Sequence, residues 1–338
     1  MALSLFLWLT VPLVIVQAAA GAPQAARPAC SAWASPAGAD SWPGTRERPF
    51  KSIGRLLQAL GPGLTGCLEP GAVFDEHVVI GNRGTPRKPV TLMTPSEPKA
   101  VIANGVEYLQ SSRDVVLRRI SVRVTGAEPW NSRGAVVLLG GFRNRFVGGE
   151  VSGGGATDTS RACIFVEHGN RAVVDGNLIH ACGVIKKNVF IYAPGIRIGT
   201  AGGARIVNNT IWGTPGDGIA LAPNAQGARV SRNLIHVTRN GVYIAGDERF
   251  TSNGNRVVDN IITYVAEWAL HGGNPSGKPV GRRNVLGKNC IWVPGRGVVG
   301  GFGFAAPGNR LVNPLFKDVL VNLQLQRTSP CWNQRPLR

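Results

Sequence analysis

Asn177, Asn209, Asn233, Asn260 and Asn289 each stand two residues before an isoleucine, at Ile179, Ile211, Ile235, Ile262 and Ile291. The intervals between those isoleucines are 32, 24, 27 and 29 residues. A unit recurring at such a period cannot bury its apolar face alone, so copies must stack on one another. Helical repeats would need long stretches with apolar residues at i, i+3, i+4 and i+7. Segments such as "NNTIWGTPGDGIAL" (208–221) instead offer short β-branched runs split by Gly, Pro and Asn, which is the pattern of short strands. Each coil then turns three times about an axis, and its strands pair in parallel with coils about 4.8 Å away. A buried Asn at a turn can satisfy local backbone groups and also pass its amide to the Asn of the next coil, so the Asn column reads as structural. Coils ending near Ile120 and Val151 keep the spacing but place Arg118 and Gly149 at the Asn position.

The coils run from about residue 110 to 301. They are preceded by "SPAGADSWPGTRERPFKSIGRLLQAL" (35–60) and followed by "NPLFKDVLVNLQLQRTSPCWN" (313–333). Together these three features resemble the right-handed parallel β-helices of the pectin-lyase-like superfamily. The resemblance implies an all-β, single-stranded right-handed solenoid with a lead-in and cap over 35–60 and a closing segment over 313–333. It does not choose a function, because lyases, hydrolases, epimerases and adhesins share the scaffold. Phe50, Ile53, Leu56, Leu57 and Leu60 have helical spacing, which predicts a short amphipathic helix plugging the N-terminal end of the core. No linker divides residues 21–338, and a monomeric single domain is expected.

The apolar run of residues 1–20 ends in Ala18, Ala19 and Ala20 and reads as a secretory signal peptide, which makes the mature chain secreted or periplasmic. No later segment approaches membrane-spanning length. Six widely spaced cysteines with no CxxC pair suit disulfides in an oxidising compartment, with about 15 pairings open by counting alone. The expected pairs are Cys163 with Cys182, about one coil apart, Cys30 with Cys67 holding the N-terminal cap, and Cys290 with Cys331 tying the closing segment to the last coil. The formal charge of +18 points to an anionic polysaccharide as partner. Nucleic acid is disfavoured, since no RNP-like, zinc-finger or helix-turn-helix pattern accompanies the charge.

A second strand in each coil aligns as "CIFVEHG" (163–169), "GIRIGTA" (195–201), "GIALAPN" (218–224), "GVYIAGD" (241–247) and "EWALHGG" (267–273). Alternation sends Ile164, Ile196, Ile219, Val242 and Trp268 inward. One outward column is then Phe165, Arg197, Ala220, Tyr243 and Ala269, and another is Glu167, Gly199, Ala222, Ala245 and His271. Arg197, Tyr243 and His271 are the catalytic candidates: elimination from a uronate needs a cation on the carboxylate and a base near C5. Trp212 and His236 belong to a further outward ring column (His180, Trp212, His236, Thr263, Trp292), and with Glu167 they are the substrate-binding candidates, although such a stack also serves as packing. The polysaccharide lyase reading has two rivals, a non-catalytic adhesion module and a glycoside hydrolase using Asp217 and Glu267. The acidic residues are too scattered for a dedicated metal site. No cofactor is expected, with calcium entering only as an ion shared with a uronate substrate.

Overall fold

Alternating apolar residues and glycine-rich corners wind the chain into three parallel sheets of ten, ten and nine strands. One coil shows the plan: Arg205–Val207 lies in the first sheet, Thr210–Thr214 in the second and Ile219–Leu221 in the third, and Arg229–Ser231 then returns to the first. In these strands Ile206, Ile211 and Ile219 point into the coil and are fully buried. This computed structural model describes residues 29–124, 135–153, 162–183, 193–274, 276–319 and 322–337, with the backbone of 185, 186, 189 and 190. The signal peptide expected over 1–20 lies outside the described residues. No described helix is long and apolar enough to cross a membrane.

The Asn column occupies the corner between the first and second sheets. Asn209 Nδ2 donates to Asn233 Oδ1 (2.9 Å), Asn233 to Asn260 (2.9 Å) and Asn260 to Asn289 (3.0 Å), while each acceptor also takes the backbone N–H of the preceding Asn. Asn177 starts the amide series on Asn209, and Asn309 extends it beyond Asn289. Every ladder amide thus meets the acceptor its burial demands. Toward the N-terminus the series ends at Gly149, whose N–H donates to Asn177 Oδ1 (2.8 Å). A Cβ at Gly149 would collide with the Ile120 carbonyl and the Phe146 ring, so no Asn fits there. One coil earlier the sequence alignment slips: Val151 pairs with Val122, not with Ile120. Ile120, not Arg118, takes the Asn position, two residues before Val122.

A second ladder stands at the corner between the third and first sheets, where Asn255 Nδ2 donates to Asn284 Oδ1 (3.0 Å). Its sequence signal is an Asn five residues before the first ladder, at 255 and 260 and again at 284 and 289.

The cap is a short helix, Ile53–Gln58, which buries Ile53, Leu56 and Leu57 against the first coil. Ser52 caps it by accepting the Arg55 N–H, and the Glu76 carboxylate takes the Ile53 N–H (2.8 Å), so the exposed donors of the first turn are satisfied. Parallel pairing starts early, with Val78–Ile80 already on Val106–Tyr108. The three disulfides are Cys30–Cys67, Cys163–Cys182 and Cys290–Cys331, with Cα–Cα distances of 5.6, 5.4 and 5.9 Å. The last ties the antiparallel pair Phe316–Asp318 and Asn322–Leu325 to the solenoid, packing Leu325 and Cys331 over Leu234, Ile261 and Cys290.

Candidate active site

The third sheet carries the catalytic candidates. Phe165, Arg197, Ala220 and Tyr243 follow one another in direct register, as the alternation predicts. The next member is His271, not Ala269, since Val242 pairs with Leu270 and Tyr243 with His271. Trp268, expected inward, is only half-buried and pairs with Gly297. The corner before this strand is two residues longer than the alignment assumed. A slip of two leaves the in–out parity of His271 unchanged, so alternation could not reveal it.

The correction brings the imidazole against the phenol. The rings of Tyr243 and His271 lie 5.4 Å apart, tilted by 41°. Two coils away, the Arg197 guanidinium sits over the Phe165 ring at 5.0 Å, and its Nε donates to the Ala222 carbonyl (3.3 Å). At the other end Trp268 stacks near His271, at 6.5 Å, and its ring lies over Gly300, where any Cβ would strike it. Arg197, Tyr243 and His271 line one groove of about 640 Å³, walled by the corner residues Asp217, Arg239 and Asn240 on one side and by Pro223, Gly246 and Asn274 on the other.

Arg239 and Asn240 were not singled out by the sequence, because corner residues have no fixed periodicity. Arg239 Nε lies 3.3 Å from Glu267 Oε1. Asn240 Nδ2 donates to the buried Asp217 carboxylate (2.8 Å), and its Oδ1 takes the Trp268 N–H (3.0 Å). Asp217 is therefore engaged in holding the corner, and Glu267 faces a cation.

The electrostatics sort the two rings. Burial raises the Tyr243 phenol above its ordinary pKa, the Asp217 charge adds to this, and Arg239 opposes it. Burial lowers the His271 imidazole; Glu267 pulls the other way, while Arg239 and Arg296 push it further down. At neutral pH the site therefore presents a protonated phenol beside an uncharged imidazole.

The remaining candidates stand elsewhere. Glu167 lies in the neighbouring column, where Oε2 accepts the Thr200 N–H (2.9 Å), and it is not part of the groove wall. Trp212 and His236 are consecutive members of the ring column on the second sheet. His236 is 7 % exposed, bonded through Nδ1 to Thr263 Oγ1 (2.9 Å) and covered edge-on by Phe316 of the closing segment. Trp212 stacks on His180 at 5.1 Å and stays exposed. Among the described residues, no group of three or more His, Cys, Asp or Glu side chains could hold a metal ion.

Residues 104–276 match the family described as "Right handed beta helix region". The chain belongs to that family. No curated protein matches this β-helix by sequence. Among solved structures it is similar to a pectate lyase, with a TM-score of 0.62 at 13% identity over 88% of this chain and 90% of the other. It is also similar to XylC in complex with xylose, at 0.62 and 12% over 84% and 68%, and to a rhamnogalacturonan lyase, at 0.55 and 11% over 86% and 91%. At such identities the likeness concerns the fold, a β-helix of pectin-lyase-like type that carbohydrate-active proteins share.

Proposed function

We propose that this β-helix is an exported polysaccharide lyase that cleaves a uronate glycan by β-elimination. The observation that carries the reading is the Tyr243–His271 pair, a proton donor and a proton acceptor 5.4 Å apart on one groove floor with a guanidinium two coils away. Arg197 holds a uronate carboxylate of the bound chain two coils from Tyr243, and Arg239, whose charge acts on both rings, offsets the charge that develops as C5 loses its proton. His271 accepts that proton, the C5–H electron pair becomes the C4–C5 double bond, and the C4–O4 bond breaks. Tyr243 protonates the departing O4. Export is supported by the three disulfides, and an anionic substrate by the net charge of +18.

Because both rings rise from the same floor, they reach the sugar from one face. The favoured substrates are uronates whose H5 and O4 lie on the same side, as in mannuronate and glucuronate, over galacturonate and guluronate. Incubating the protein with one polymer of each kind and following the ultraviolet absorbance of the unsaturated product tests the reading. Product is expected first from the mannuronate or glucuronate polymer. Binding without product from any of the four would leave an adhesion module and remove the lyase.

A further inference from the structure

The first sheet faces solvent on the side away from the groove's column, and its outer surface carries a feature that elimination does not use. Arg205, Arg229 and Arg256 occupy one register position in three successive coils, each pairing directly with the next. Arg145 holds the same position two coils earlier, across Val173. All four arginines are exposed. Among the described residues, none of the guanidinium groups of Arg205, Arg229 and Arg256 makes a hydrogen bond or an ion pair. Like charges at directly opposed positions destabilise a sheet, and here three follow one another at the coil spacing of about 4.8 Å. Arg232 and Lys288 at the adjoining corner add to the field, against Asp175 and Asp259 nearby, of which Asp175 already accepts from Asn208 (2.8 Å). A fold held together elsewhere by matched ladders has no structural use for an unmatched column of cations.

We infer that the Arg205–Arg229–Arg256 column is a docking surface for an extended anionic polysaccharide, one that holds the polymer along the solenoid axis outside the groove. A coil rise is close to the length of one sugar in an extended chain, so successive carboxylates can meet successive guanidinium groups. Arginine's planar fork favours carboxylates over a diffuse ionic cloud. Carboxylates on the column relieve the repulsion among the arginines, which couples binding to the very cost the column imposes. The inference does not depend on turnover in the groove, since the column would serve an adhesion module equally well.

The test is fluorescence anisotropy with labelled polymannuronate at low salt, comparing the intact protein with two triple variants of equal charge. Arg205→Gln/Arg229→Gln/Arg256→Gln should weaken binding by about tenfold or more and reduce the slope of log Kd against log salt by roughly one to three. The control Arg87→Gln/Lys88→Gln/Arg327→Gln, which removes exposed cations elsewhere, should change Kd by less than about twofold. Equal losses in both variants would mean that net charge alone is read, and an unchanged column variant would leave the arginines without this role; either result overturns the inference. So would a column variant that loses duplex DNA or anionic vesicles but keeps polymannuronate. The column variant should also unfold at the same or a higher temperature, because it removes like-charge contacts. A lowered Tm would mark the arginines as structural and defeat the proposal.

Discussion

Two columns of outward-facing rings climb this solenoid, and they end in opposite states. On the second sheet, His180, Trp212, His236 and Thr263 stack in register, and the closing segment lies over the column at His236. On the third sheet, Arg197, Ala220, Tyr243 and His271 stack with the same geometry, but corner residues wall the column without covering it. Both imidazoles are lowered by burial. Only His271 lies among groups that an anionic substrate could displace or join. The coil therefore offers equivalent positions on each sheet, and the corners and termini decide which of them become a site.

The largest expected effect separates the two imidazoles. His271→Gln and Tyr243→Phe should each lower kcat by about 10²- to 10⁴-fold, the usual share of general acid–base catalysis, while His236→Gln should alter kcat by less than about twofold. Steady-state rates on the best of the four polymers decide it. A comparable loss in His236→Gln would abolish the distinction between the columns.

Opening the covered column is the next test. Removing the closing disulfide with Cys290→Ala/Cys331→Ala should cost about 2–5 kcal/mol in denaturant unfolding, the usual effect of losing a native disulfide. The same change should let the His236 pKa return toward its ordinary value in an NMR titration. With His236 lowered in the folded state, the native protein binds fewer protons than the unfolded chain at acid pH. Stability held above the ordinary imidazole pKa is then lost as pH falls below it. That acid-side loss should shrink in the disulfide variant. A slope that persists unchanged would place its origin in another group.

The pH dependence of catalysis reads the open column. His271 must be neutral to accept a proton, so kcat/KM should climb through a pKa below the ordinary 6.5, by about tenfold per pH unit on its acid limb, and be level at neutral pH. The alkaline fall belongs to Tyr243 and should lie above pH 10. A rising limb centred above 6.5 would remove His271 as the base.

The contrast also shows what a sequence of this kind discloses. The Asn ladder was legible because a buried amide must find its partner at every coil, which forces the same residue at one corner. The inward and outward faces of Arg197, Tyr243 and His271 were legible because alternation has period two. Which residues became neighbours was not. The Val122–Val151 and Tyr243–His271 pairings both differ from the sequence alignment by two residues, a slip invisible to alternation because corner length is free while strand parity is fixed. Arg239 and Asn240 were missed for the same reason. The closing segment resembled that of known solenoids, but nothing in it signalled that Phe316 would lie against His236.

The smallest effect is expected at Trp212, where the covered column could still behave as a binding face. Its ring stacks on His180 at an interplanar angle of 10° and is 41% exposed, which is a geometry able to receive a sugar face. Yet it stands on the second sheet, while the groove lies on the third, and a chain bound along Arg197, Tyr243 and His271 has no path to it across the corner that Asn240 and Asp217 hold. Trp212→Ala should therefore leave KM within about twofold of the parent. Loss of a half-exposed ring should change stability by about 0.5 kcal/mol or less, the usual range for surface sites. Unfolding curves and KM on the same polymer are the measurements. A several-fold rise in KM with kcat unchanged would show uniform binding at Trp212, and the second sheet would then be part of the substrate path.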